Sequence, residues 1–304
     1  MTELAPGPNP DADRKNFDRL PPIESPNGKI GVDPQRGHVT SWEVKNPDTG
    51  TFVPVLYVGS ELKRTGIPNL FPNYDESGGE LPDAEGQGEL DTHGFGRDKH
   101  SNWIVIEQSD PRKVVMQLTP ENISAEARAK YPYDFETTLE VAVAEDGSMT
   151  HTMTVKNKGD KPMPIAPGTH ANWASRHDQK RSIKTDIEGF DAETIDWDND
   201  PPDTEYDFYG KAVIAMPDKT ITIEEINEDG SPKEPDERVV EKIVAWSQPV
   251  GNPEKPDVDF VAFEQVSLGK GALKERPIIL KKDEVWKMKV KYSATFNSST
   301  QLAA

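Results

Sequence analysis

Apolar and polar residues alternate along much of this chain with a period of two, the spacing of a strand with one face buried. In "DFETTLEVAV" Phe135, Thr137, Leu139, Val141 and Val143 share one face. Glu145-Asp146-Gly147 then turns the chain, and Met149, His151, Met153 and Val155 resume the alternation, which predicts a β-hairpin. Near the C-terminus "WKMKVKYSATF" puts Trp286, Met288, Val290, Tyr292, Ala294 and Phe296 on one face and lysines, Ser293 and Thr295 on the other. "AVIAMPDKTITIEEI", "RVVEKIVAWSQP" and "DFVAFEQVSLG" repeat the theme between Pro, Gly, Asp and Asn breaks. Only "ENISAEARAKYP" predicts a helical turn or two, ending at Pro132. The expected fold is all-β, an antiparallel sandwich with very little helix and no fixed-period repeat.

Residues 1–28 are rich in proline and lack this periodicity, so they are expected to form an extended arm ahead of one β domain over 29–304. The chain has no cysteine, which excludes disulfides, thiolate nucleophiles and Cys-based metal sites. Its formal charge of −19 argues against nucleic acid, whose phosphates call for basic surface. The N-terminus carries no apolar signal segment and no run is long enough to span a bilayer, so a cytoplasmic protein without membrane partners is expected.

Four places carry side chains that suggest chemistry. The loop "ELDTHGFGRDKHSNW" holds His93, Arg97, Lys99 and His100; the loop "LKRTGIPNLFPNYDESGG" holds Arg64, Phe71 and Tyr74. Aromatic faces beside Arg and His suit a sugar, which offers C–H patches and a rim of hydroxyls. His170 follows Gly168-Thr169 where a strand should stop, a position open to function. Glu264 interrupts the apolar run "DFVAFEQVSL", where it is either an outward-facing residue or a buried carboxylate that calls for a partner or a task. His151, on the same face as Met149 and Met153, reads as a core histidine.

"RTGIPNLFP", "HGFGRDKHSNW", "YPYDFETTLEVAV", "THTMTVKNKGDKPMPIAPGTHANW" and "VAFEQV" occur in the order and near the spacing found in aldose 1-epimerases, over roughly residues 50–295. The chain most resembles the hexose-6-phosphate 1-epimerase branch of that family. The resemblance implies a galactose-mutarotase-like antiparallel β-supersandwich with a sugar cleft across one sheet. It also implies a catalytic His170 and Glu264, with His93, Arg97 and Arg64 as substrate contacts. Asp207 in "TEYDFYGK" is the match for the family's aspartate. A monomer needing no metal or cofactor, acting on a small sugar or sugar phosphate, is implied too. Two departures stand out: the family's H-x-Y-F is His170-Ala171-Asn172-Trp173, and its RGGIP is Arg64-Thr65-Gly66-Ile67-Pro68, a stiffer loop.

Anomer exchange requires a proton to leave the anomeric hydroxyl while the ring oxygen gains one. That assigns Glu264 as base at O1 and His170 as acid at O5, with pKa values near the usual ~4.3 and ~6.5 supplying both forms together. For a phosphate the candidate cations are Arg64, Arg97 and Lys99, or Arg176, Lys180 and Arg181. A neutral aldose, a non-catalytic sugar-binding protein and a glycoside hydrolase or lyase are the other readings, the hydrolase requiring two carboxyl groups about the bond.

Overall fold

Alternating β-branched, Met and aromatic positions bury one face of each strand, and this builds twenty strands within the residues described by the computed structural model, 20–251 and 256–297. Among the described residues helix is confined to Ala125–Lys130, Ala272–Glu275 and short 3-10 turns. The first of these lies within the stretch predicted to be helical and starts on Ser124, whose hydroxyl accepts from the Ala127 amide at 3.1 Å. No helix among the described residues is long and apolar enough to cross a membrane.

The largest sheet has eight strands, and the predicted hairpin lies within it. Phe135–Val143 pairs antiparallel with Met149–Asn157, from Phe135 opposite Asn157 to Val143 opposite Met149. Every residue expected on the inner face of that hairpin is buried. Val285–Phe296 lies between Met149–Asn157 and Lys219–Glu225. Burying a side chain the size of Leu139 or Met288 contributes roughly 1.5–3 kcal/mol. His151 is fully buried there with neither ring nitrogen bonded, and burial lowers its pKa to about 4, so it is a neutral core residue.

The six-stranded sheet carries the site. Its order is Asp203–Asp207, Lys242–Trp246, Phe260–Val266, Gly168–Thr169 and Asn69–Leu70, with Asn172–Ala174 also paired to Phe260–Val266. One face packs on the large sheet: Trp173 meets Tyr292 with ring centroids 5.6 Å apart, and the Tyr292 hydroxyl donates to Gln265 Oε1 at 2.6 Å. A four-stranded sheet adds Trp42 against the edge of Trp173.

This smaller sheet begins inside the expected arm. Ile23–Glu24 pairs with Ile30 and Lys29, and Ile23 is buried, so regular structure starts before residue 28 because an apolar residue there finds the core. Positions 1–19 of the arm lie outside the described residues.

Candidate active site

The strand Phe260–Val266 is buried at all seven positions, because the sandwich core covers one face and loops enclose the other. Gln265 points into the core, where it meets Tyr292, so Glu264 must point the opposite way. It faces away from the core but not into solvent, because the loops on that side bury it: Glu264 is 2% exposed.

Across from it the pairing is interrupted. Gly168 opposes Val266 and Thr169 opposes Gln265, and the ladder resumes with Asn172 opposite Ala262. Counting inwards from either side puts His170 opposite Glu264, and cross-strand neighbours have Cβ atoms ~5 Å apart. The imidazole Nε2 lies 3.2 Å from Glu264 Oε1. The His170 amide donates instead to the Pro68 carbonyl at 2.9 Å, which lets the chain leave the ladder for one step. Gly168 is needed just before it, since a Cβ there would stand 2.8 Å from the Gln265 carbonyl oxygen.

The turn that receives His170 is Arg64-Thr65-Gly66-Ile67-Pro68. Gly66 has φ of 56°, and a Cβ would lie 1.9 Å from the Val39 oxygen, so only glycine fits. Thr65 has ordinary extended φ, and its hydroxyl accepts from the Gly59 amide and donates to the Glu61 carbonyl, both at 3.0 Å. The threonine of this chain thus ties the loop down. Arg64 is held over the indole of Trp246, 4.6 Å from its centroid, and that indole meets His170 at 5.6 Å. Asn172, where the family pattern has tyrosine, is buried and donates to the Gly66 carbonyl at 3.1 Å.

The other predicted loop hangs on Phe71, whose carbonyl accepts from the amides of Phe95 and Gly96, both at 2.9 Å. His93 adopts φ of 72°, a conformation uncommon for a residue with a side chain and found where local strain serves a site. Its Nδ1 is bonded to the Tyr74 carbonyl, which can only accept, so Nδ1 carries the proton and Nε2 is left as an acceptor. Burial first, then Arg97, lowers the His93 pKa to about 3 and keeps the ring neutral. Its ring stands 5.7 Å from that of His170. Arg97 Nη1 is buried with no partner among the described residues. His100 turns away to the Ser124 hydroxyl at 2.8 Å, and Lys99 is exposed outside the cleft.

These groups line a cleft of about 350 Å³, within the range of small-molecule sites. Volume alone does not single it out, because a hollow of about 520 Å³ lies between Asn27 and Phe296, but its charged residues, Lys45 and Asp146, are both exposed. What distinguishes the cleft is ionisation. Burial pushes the Glu264 carboxyl up to about 8 against the pull of Arg97, and burial with Arg97 and His93 holds His170 well below 6.5. The ordinary order expected from sequence is inverted: near neutral pH the pair holds one proton, resting on the carboxyl, because desolvation penalises both charged forms. No cluster of His, Asp and Glu suited to a metal ion occurs among the described residues.

Asp207 is not part of the cleft. Asp203, Glu205 and Asp207 share one face of a strand, but Asp207 stands at the end opposite Lys242, with which it forms an ion pair at 2.5 Å. Asp203, four residues away and thus ~13 Å along the strand, stands opposite Trp246 and lines the cleft. Lys63, Tyr74, Trp246 and Lys270 line it as well, and Lys270 Nζ is 3.3 Å from Asp203 Oδ1. Of the further cations considered from sequence, Arg176 pairs with Asp178 and Lys180 is buried against Ser247. Arg181 faces the Glu193 carbonyl at 3.5 Å.

Solved structures share this architecture. Slr1438 from Synechocystis sp. PCC 6803 is 20% identical, with a TM-score of 0.69 over 92% of this chain and 96% of its own. A GalM/aldose epimerase homologue from C. elegans gives 0.68 at 11% identity, covering 90% and 98%. A galactose mutarotase-like protein from Lactobacillus casei ATCC 334 gives 0.64 at 18%, covering 90% and 99%. At these identities the likeness establishes the fold, a galactose-mutarotase-like antiparallel assembly. No curated protein gives a significant match. The family model for aldose 1-epimerase matches residues 37–226, a span that takes in Arg64, His93, Arg97, His170 and Asp203. Trp246, Glu264 and Lys270 of the cleft lie beyond that span, but with more than half of its length matched this chain belongs to the aldose 1-epimerase family.

Proposed function

We propose that the protein exchanges the α and β anomers of a hexose by acid-base ring opening and closure, and that the preferred hexose carries a 6-phosphate. The observation that carries the reading is the His170–Glu264 contact at 3.2 Å between two buried ionisable groups in a cleft. A binding module needs no such pair.

In this reading Glu264 takes the proton of O1 and His170 delivers one to O5. The carboxylate–imidazolium form differs from the resting pair only in the position of one proton along an existing contact. Both tautomers hold the same number of protons, so kinetics report the one-proton state of the pair rather than either residue alone. Ring closure on the other face of C1 reverses both transfers and restores the pair. His93 Nε2 and Arg97 Nη1 offer an acceptor and a donor to the sugar hydroxyls.

The pH dependence follows in sign. The one-proton state is lost when Glu264 gives up its proton, so kcat/KM falls above about 8. It gains a second proton only when His170 is charged, well below 6.5. We therefore expect a plateau across neutral pH with an alkaline limb near 8; a decline centred at 6.5 would restore the unperturbed assignment and overturn this one.

Charge supports the phosphate. With Glu264 protonated the lining holds Lys63, Arg64, Arg97 and Lys270 against Asp75 and Asp203, a net positive pocket in a chain of formal charge −19. NMR magnetisation transfer on glucose 6-phosphate, glucose and galactose at equal enzyme concentration tests both parts. Acceleration of none removes the epimerase reading. Arg64→Ala is expected to lower the kcat/KM ratio of glucose 6-phosphate to glucose roughly 10- to 100-fold, the worth of a charge-assisted contact. An unchanged ratio would remove the phosphate role of Arg64.

A further inference from the structure

Arg64 lies over Trp246, yet the short turn that presents it, Leu62–Arg64, has no side-chain cap of its own. Glu61, the residue ahead of that turn, pairs with Lys63 at 3.0 Å. Thr65 secures the C-terminal side of the turn. The N-terminal side is secured from the other end of the chain. Asp257 Oδ2 accepts from the Ser60 amide at 3.0 Å and the Ser60 hydroxyl at 2.8 Å, and Asp257 Oδ1 accepts from the Tyr57 hydroxyl at 3.0 Å. Bonds to an ionised acceptor are the stronger class, and here three converge on one carboxylate.

Asp257 belongs to the connection between Lys242–Trp246 and Phe260–Val266, the strands that supply Trp246 and Glu264. Its carbonyl accepts from the Gln248 side-chain amide at 2.8 Å, which anchors it to the chain just past Trp246. Tyr57 stacks on Phe260 at 5.2 Å, and Phe260 meets Trp246 at 5.7 Å. Bonds and stack together register the segment before Arg64 against the strand that carries the indole beneath it. Gly59 permits the approach: a Cβ there would stand 3.0 Å from Asp257 Oδ2 and 3.1 Å from Arg64 Cβ, so the two side chains flank one backbone unit. Burial pulls the Arg64 pKa down while Glu61 and then Asp257 hold it up, so the carboxylate's charge reaches the guanidinium. Asp257 itself is not among the residues that line the cleft.

We infer that Asp257 is a positioning residue for Arg64: it clasps Tyr57 and Ser60 so that the guanidinium is held over Trp246, on the cleft wall, for an anionic group of the substrate. The inference rests on the reading of Arg64 as an anion contact. Charge and geometry give opposite signs for the loss of this carboxylate. Acting through its charge alone it would repel an anion, and its removal would tighten anion binding. Acting through the clasp it keeps a cation in place, and its removal loosens anion binding.

The test places Asp257→Asn and Asp257→Ala in the full-length protein, with and without Arg64→Ala. In both variants KM for glucose 6-phosphate and the inhibition constant of inorganic phosphate are expected to rise about 3- to 10-fold, while kcat stays within about 2-fold. Ser60→Ala removes one donor at an exposed position and is expected to move both constants the same way, which keeps the test open if Asp257→Ala does not fold. In the Arg64→Ala background the Asp257 substitutions should add nothing, because a residue that acts through Arg64 has no effect once Arg64 is gone. Equal losses in both backgrounds would make Asp257 a general support of the fold, unchanged constants would remove its role, and a lower KM would leave only its charge; each overturns the inference. If the parent protein binds neither phosphate nor glucose 6-phosphate, the anion reading of Arg64 fails by itself. The clasp is then judged by the NMR signal of the Trp246 indole N–H, identified by its loss in Trp246→Phe. Arg64→Ala and Asp257→Ala should both shift that signal, and a signal that Asp257→Ala leaves in place removes the clasp.

Discussion

His170→Asn is expected to lower kcat/KM for anomer exchange by about 10²–10⁴, the range for losing one positioned acid-base group, while the thermal unfolding midpoint stays close to that of the parent. The backbone explains why the fold should survive. The amide that anchors this residue to the Pro68 carbonyl is retained, and the ladder on either side is held by Gly168–Thr169 and Asn172–Ala174. Asparagine approximates part of the imidazole and can still bond Glu264, but it cannot carry a proton between O5 and the pair. Circular dichroism with NMR exchange on the same sample separates the outcomes. Undiminished exchange in a folded His170→Asn protein would remove His170 from the mechanism, and exchange would then have to be ascribed to another group in the cleft, with neutral His93 nearest at a ring distance of 5.7 Å.

The strands were legible because burial on one face writes itself into every second residue. The hairpin at 135–157 and the strand at 285–296 follow directly from that rule. Glu264 was legible for the opposite reason: a carboxylate inside an apolar run breaks the pattern. Asp207 shows where periodicity stops helping, since three acids at 203, 205 and 207 share a face and only pairing with the next strand tells which end lies at Trp246. Lys270 follows a turn and reaches Asp203 through space, 67 residues away in sequence, so no local signal marks it. The ionisation order of His170 and Glu264 was equally hidden, because it depends on how completely the two are enclosed.

Electrostatics joins these parts. A chain of formal charge −19 repels an approaching anion at long range. Inside the cleft, however, protonation of Glu264 removes one of its own carboxylates and leaves the cations in excess. The burial that inverts the acid-base pair therefore also makes the pocket more receptive to an anion, so that the ionisation order of the pair and the charge of the pocket have a single cause.

Glu264→Gln separates activity from stability in opposite directions. Activity should fall about 10²–10⁴, since the amide can neither accept the O1 proton nor store it. Stability should rise with pH relative to the parent. In the parent the carboxyl has a pKa of about 8 in the folded protein against 4.5 when unfolded. Between those values the folded state holds the extra proton, so its stability declines as pH rises, by up to ~1.4 kcal/mol per pH unit, and levels off above about 8. Glutamine carries no charge at any pH and can still donate to His170 Nε2, so its stability lacks that decline. Unfolding midpoints measured from pH 5 to pH 9 are expected to diverge, with the variant the more stable at the alkaline end. Parallel curves would mean that Glu264 is not held protonated by burial, and the alkaline limb proposed for the pH–rate profile would lose its cause. A site that keeps a destabilising carboxyl because its chemistry depends on it is a stability–activity trade-off located at one residue.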